Sequence, residues 1–355
     1  MNNLGQLIFT GISGTSLTDE EAQFLEEENI GGVILFSKNY ESPAQLAELI
    51  NTIQNCRQEY PLFIATDHEG GRVQRFRKGF TDFPAMLDIA QSDSPKQCYT
   101  VHKIMAEELS ACGVNINLSP VCDIFTNEKN KVIGDRAFGT DHETVSKYIS
   151  SAIRGLQTNN ILGCAKHFPG HGDTTLDSHY DLPIVKTPME ELKEREFQPF
   201  IKAIKSRVEF VMMAHLIVEA IDPELPCTLS PKAYKILRDD MKFSKLIITD
   251  DMQMQAITDH YGTGDAAIMA INAGADIVEY RDMKEAQIAL EALKEAAKTK
   301  KLKNSVIMDR YNNIQKSKKQ YFTEYRPTYI PDVSKKVGNA TNQRFLEELK
   351  KLIQK

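Results

Sequence analysis

Eight short runs of β-branched and apolar residues, separated by helix-length stretches, constrain this chain more than any other feature. They are Gln6–Ile12, Gly32–Phe36, Leu62–Asp67, Val114–Leu118, Ile161–Lys166, Phe210–Leu216, Leu246–Asp250 and Asp276–Tyr280. Most are continuously apolar, the pattern of strands covered on both faces. The stretches between them carry helix-start signals. Thr18-Asp19-Glu20-Glu21 fits a capping box, and Ser42-Pro43-Ala44-Gln45 fits one with proline at the first helical position. Thr187-Pro188-Met189-Glu190 repeats that pattern. After Ser42, the residues Leu46, Leu49, Ile50 and Ile53 make one apolar stripe suited to packing on a sheet. Eight strand–helix units predict an α/β fold of the (β/α)8 TIM type. A doubly wound open sheet is the alternative, weakened because no Gly-x-Gly-x-x-Gly follows the first strand. Residues 1–325 read as the barrel domain. Residues 326–355 hold Pro327, Pro331 and Gly338, then a stripe of Phe345, Leu346, Leu349 and Ile353. They read as a connecting segment and a terminal helix packed on the barrel.

Charge and cysteine usage narrow the partners. A net charge of -6 argues against nucleic acid and anionic membranes as partners. The first residues, Met1 to Gln6, show no cationic region followed by an apolar run, and no stretch reaches the roughly 20 apolar residues of a membrane helix. Cys56, Cys98, Cys112, Cys122, Cys164 and Cys227 are scattered without a Cys-x-x-Cys pair and read as reduced core thiols. A cytoplasmic monomer acting on a small molecule, without cofactor, is the expectation.

In a (β/α)8 barrel the reactive groups gather at the carboxyl ends of the strands. Five of the eight predicted strands end in charged or titratable residues: Asp67-His68-Glu69 after the third, Asp123 after the fourth, Lys166-His167 at the fifth, His215 at the sixth and Asp250-Asp251 at the seventh. The loop after the fifth strand is the densest, running Lys166-His167-Phe168-Pro169-Gly170-His171-Gly172-Asp173 and on through Asp177-Ser178-His179-Tyr180. Its proline and glycines forbid a regular helix. His167 and His171 have the sequence spacing of a zinc pair, but that spacing juxtaposes imidazoles only on a helix, and Pro169 and Gly170 break one. No metal is expected. For His171 the preferred reading is structural, a ring that holds an irregular loop. Between the adjacent Asp250 and Asp251 the residues alone do not choose, although strand alternation lets only one face a ligand.

These motifs resemble glycoside hydrolase family 3, in its bacterial β-N-acetylglucosaminidase branch. KHFPGHGDTTLDSHYDLP (166–183) is the most specific. ATDHEGGRVQRF (65–76), IGDRAFG (133–139) and ITDDMQM (248–254) follow the family's order, and the resemblance spans about residues 5 to 320. It implies a (β/α)8 barrel and removal of non-reducing N-acetylglucosamine from peptidoglycan fragments, especially those ending in 1,6-anhydro-N-acetylmuramic acid. By motif position it implies Asp250 as nucleophile, His179 as general acid/base and Asp177 as the residue orienting the His179 imidazole. Asp67, Arg75, Arg136, Lys166 and His167 are implied as sugar-binding residues. Two departures stand out. His68 occupies a place where relatives often have glutamine, and Glu279-Tyr280-Arg281 is more charged than is usual after the eighth strand.

The implied chemistry suits these residue types. A retaining glycosidase needs an ionised carboxylate to attack the anomeric carbon, and a second group that first protonates the leaving oxygen and then activates water. An imidazole, with an unperturbed pKa of about 6.5, serves both protonation states near neutrality. Other readings are a family 3 β-glucosidase and a sugar-binding protein without activity. The intact Asp177, His179 and Asp250 argue against the second.

Overall fold

The computed structural model describes residues 3–174, 182–322 and 324–354. Among them, eight parallel strands close into a barrel: β1 (Ile8–Thr10), β2 (Gly32–Leu35), β3 (Phe63–Thr66), β4 (Ile116–Asn117), β5 (Leu162–Phe168), β6 (Phe210–Met213), β7 (Leu246–Asp251) and β8 (Ile277–Tyr280). Neighbours follow sequence order, and β1 pairs with β8 to close the ring. The fold is the (β/α)8 barrel that the alternation predicts. Each strand lies within its predicted apolar run, give or take two residues. The largest trimming is at the first, where Gly5–Leu7 forms a 3-10 turn instead of strand.

Local signals act as read at two helix starts and fail at a third. Thr18 caps Asp19–Glu27 with a reciprocal box to Glu21. The Ser42 side chain accepts from the Gln45 N–H at the start of Pro43–Asn55, whose Leu46, Leu49, Ile50 and Ile53 are all buried. Thr187 does not cap. The helix starts at Met189 with Pro188 at the N-cap, and the Thr187 hydroxyl donates instead to Asp173 Oδ2 at 2.9 Å. A carboxylate acceptor is stronger than anything the helix end offers.

The two ends of the barrel are closed differently. At the end where the strands begin, the Phe63 ring packs against Phe9, Phe210 and Phe322, with Lys318 Nζ 5.0 Å from its centre. At the other end, irregular connections build a rim. The connection after β3 folds into a small hairpin, His68–Gly70 against Val73–Gln74. The Asn117 side-chain amide brackets the backbone of His68, accepting its N–H and donating to its carbonyl. Beyond the barrel, Ile330–Lys336 and Ala340–Ile353 are helical, with Val333, Leu346 and Leu349 buried. The buried Glu108 carboxylate accepts from Thr81 N and Oγ1, from Gly338 N and from Asn342 Nδ2, so the C-terminal segment and the β3 connection share one anchor.

Two strands carry a bulge at the rim. Along β5, Ala165 pairs with Val211 but the next partners are Phe168 and Met213. Along β7, Ile248 pairs with Ile277 and then Asp251 with Glu279. Each bulged strand holds one residue more than its neighbour. A bulge interrupts the in–out alternation and re-aims side chains. The extra residues fall at Lys166–His167 and at Thr249–Asp250.

Candidate active site

A cavity of about 630 Å³ opens on the rim, a volume suited to a small ligand. Asp67, Arg75, Arg136, Lys166, His167 and Asp250 all line it. Six of the eight residues singled out from the sequence are therefore brought together from the ends of four strands, β3, β4, β5 and β7. The other two, Asp177 and His179, lie outside the described residues. The expectation that only one of the adjacent aspartates faces the cavity is corrected: Asp251 lines it with Asp250, because the β7 bulge breaks the alternation.

An ion network sets the floor. Lys166 Nζ, 2% exposed, lies 2.8 Å from Asp67 Oδ1 and 2.6 Å from Glu69 Oε1. The β3 hairpin returns Arg75 to Asp67, with Nη2 2.8 Å from Oδ2. Arg136 grips Glu69 through Nε and Nη2, both at 2.8 Å, a bidentate pair. Burial would raise the Asp67 carboxyl, but Lys166 and Arg75 outweigh it and hold it far below the usual range. Burial likewise opposes ionisation of Glu69, and Arg136 and Lys166 bring it to about 2. The same contacts overcome the burial of Lys166 and lift its ammonium above the ordinary lysine value. The network is a set of fixed charges, ready to hydrogen-bond the polar groups of a ligand without rearranging.

A second chain of contacts orients the histidines. His167 Nδ1 is 2.7 Å from Asp123 Oδ2, which leaves Nε2 toward Arg136 at 3.5 Å. Asp123 also accepts the His171 N–H at 2.7 Å. The His171 ring meets Thr174 Oγ1 at 2.9 Å, and its carbonyl accepts from Asn130 at 2.7 Å. His171 is buried, and burial lowers its imidazole to about 4 against the pull of Asp123. Its bonds hold the loop, as the sequence suggested. Gly172 is required there, since a Cβ would stand 1.5 Å from the Ile124 carbonyl oxygen. Among the described residues no group of three His, Cys, Asp or Glu side chains is placed to hold a metal ion.

The two aspartates are driven apart. Burial would raise Asp250, but His167, His215, the Asp251 N–H and Lys166 take it below the usual aspartate value. The Asp251 N–H donates to Asp250 Oδ1 at 2.8 Å. Asp251 pairs with Arg281 at 2.7 Å, yet its burial outweighs the guanidinium and lifts it to about 6. Neighbouring carboxyls pushed in opposite directions mark different roles. Asp250 is the more readily ionised of the two and is unpaired by any arginine among the described residues. A half-buried ionised carboxylate beside a row of fixed donors can attack an electrophilic carbon.

Residues 2–317 match the N-terminal domain of glycosyl hydrolase family 3. The chain belongs to glycosyl hydrolase family 3. It is a glycoside hydrolase. Among its relatives, a β-hexosaminidase of Nitrosomonas eutropha is 38% identical over 282 residues, covering 78% of this chain and 80% of that one. A β-hexosaminidase of Methylococcus capsulatus is 38% identical over 286 residues, covering 79% and 84%. Among solved structures, a family 3 β-N-acetylglucosaminidase from a Paenibacillus species superimposes with a TM-score of 0.91 at 32% identity, covering 99% of this chain and 68% of that one.

Several residues in and behind the wall of this family 3 pocket go beyond those assigned from the sequence. Glu69 and Asp123 were visible as strand-end carboxylates but not assigned to the site. Charge arithmetic signals Glu69: among the residues implied to bind sugar, Lys166, Arg75 and Arg136 are three cations against Asp67 alone, and buried cations need counter-charges. Arg281 and Glu279, the charged departure after β8, line the cavity itself.

Proposed function

We propose that this family 3 enzyme is a retaining β-N-acetylglucosaminidase. It releases non-reducing terminal N-acetylglucosamine from peptidoglycan fragments such as N-acetylglucosaminyl-1,6-anhydro-N-acetylmuramyl peptides. The observation that carries the chemistry is Asp250, an ionised carboxylate re-aimed into the cavity by a bulge and flanked by Lys166 and His167. The relatives named β-hexosaminidase and β-N-acetylglucosaminidase supply the sugar.

Asp250 attacks the anomeric carbon and forms a glycosyl-enzyme, while His179, oriented by Asp177, protonates the departing oxygen. The same imidazole then takes a proton from water, which releases the sugar with its configuration retained. Asp67, Arg75, Arg136, Lys166 and His167 hold the sugar hydroxyls and amide. The enzyme works as a cytoplasmic monomer on these small fragments. No helix among the described residues is long and apolar enough to cross a membrane.

Turnover of an aryl N-acetylglucosaminide and an aryl glucoside, with chelator present, tests the reading. Cleavage of the first and not the second is expected, and preference for glucoside refutes the sugar assignment. His179→Ala should slow substrates with poor leaving groups about 10²–10⁴-fold while sparing activated aryl glycosides. Equal losses on both would remove His179 from the acid/base role.

A further inference from the structure

Glu279 has no place in the chemistry above. It sits on β8, opposite Asp251 in the ladder, and its backbone is fully used: the N–H donates to Thr249 Oγ1 and the carbonyl accepts from Met252 N. Its carboxyl lines the cavity, is 3% exposed, and finds no partner at Oε2 among the described residues. No ion pair among them includes it. The titratable groups facing it are Asp67 beyond β3, Cys164 and Lys166 on β5, and Asp250 and Asp251 on β7. Lys166 is already committed to Asp67 and Glu69.

A buried polar atom without a partner calls for an explanation, and one at a cavity wall is explained by a ligand atom. An apolar residue would close this wall at lower cost. We propose that Glu279 is a further sugar-contacting residue of this pocket, hydrogen-bonding an oxygen or amide of the saccharide held over Asp67 and Asp250. The inference rests on the reading of the cavity as a sugar site centred on Asp250. Burial, and then the negative charges of Asp67, Asp251 and Asp250, keep the Glu279 carboxyl well above the ordinary glutamate range, with Lys166 opposing. It therefore acts as a neutral acid, a donor among acceptors, where the neighbouring carboxylates only accept. That donor is lost when the pH rises through its titration.

Glu279→Gln and Glu279→Leu test this through calorimetric binding of N-acetylglucosamine at several pH values and through KM and kcat on the aryl substrate. The leucine variant should bind about tenfold or more weakly, with KM affected more than kcat. The glutamine variant keeps a donor in the same volume. It should recover most of that loss in acid and lack the alkaline fall in affinity shown by wild type. If both variants bind as wild type does, or if the glutamine and wild-type pH profiles superimpose, Glu279 makes no sugar contact. Should the leucine variant not fold, the profile of the glutamine variant decides alone. Asp250→Ala, run in parallel, separates the two readings: loss of turnover with sugar still bound upholds the pocket and leaves Glu279 to be judged by its own variants. If wild type binds glucose but not N-acetylglucosamine, the substrate assignment falls and the Glu279 comparison is made with glucose.

Discussion

The barrel buries one lysine near each end, and the two are solved in opposite ways. Lys166 on the rim touches two carboxylates, and its ammonium is held firmly charged. Lys318 at the strand-start end is 1% exposed, donates to Gln6 Oε1 and the Gly31 carbonyl, and has no carboxylate partner among the described residues. Burial lowers it to about 7. A buried cation with counter-ions is a fixed charge, available to a ligand. One surrounded by neutral acceptors and an aromatic face is a plug that can shed its proton. The same residue type thus separates a working end from a closing end.

The largest effect that would break this contrast is in turnover. Asp250→Ala should reduce kcat by about 10⁴-fold or more, while Lys318→Met leaves it within about twofold. A comparable loss from both in steady-state assays would mean that the ends are not functionally distinct. Lys166→Met comes next. It removes the cation shared by two carboxylates and leaves Asp67 to Arg75 and Glu69 to Arg136, so it should cost about 3–5 kcal/mol by denaturant unfolding and raise KM as well. A loss below about 1 kcal/mol would show that the network is no more than a surface pair.

The smallest effect sharpens the contrast through pH. Between about 7 and the ordinary lysine value of 10.5, the unfolded chain binds a proton that folded Lys318 does not. The stability of wild type relative to Lys318→Met should therefore rise with pH across that window, by at most about 1.4 kcal/mol per unit, and stay flat below it. Parallel unfolding curves for the two proteins across the window would show that Gln6, Gly31 and the Phe63 ring keep Lys318 charged. The two lysines would then differ only in partners.

The barrel was legible because β-branched runs and helix caps are local signals, and all eight strands lie within their runs to within two residues. The pocket was legible where a motif names the residue: Asp67, Arg75, Arg136, Lys166, His167 and Asp250 converge. What the sequence did not disclose is non-local. Nothing near Glu69 announces that Lys166 and Arg136, 97 and 67 residues away, will both need its charge. The bulges were hidden for a related reason. They are defined by the partner strand, so reading β7 alone gives strict alternation and the false rule that Asp251 must turn away.

Glu108 carries a practical consequence for anyone shortening this chain. The family match ends at residue 317, which invites a minimal enzyme cut near there. Yet the same carboxylate that takes the Gly338 N–H and the Asn342 amide also fixes Thr81, and the Thr81 carbonyl accepts from Gln74, next to Arg75. Deleting the tail removes two of the four donors on a buried anion and loosens the hairpin that carries Arg75 to the cavity. A chain cut at the family boundary should therefore lose order at the rim of its cavity as well as at its cut end.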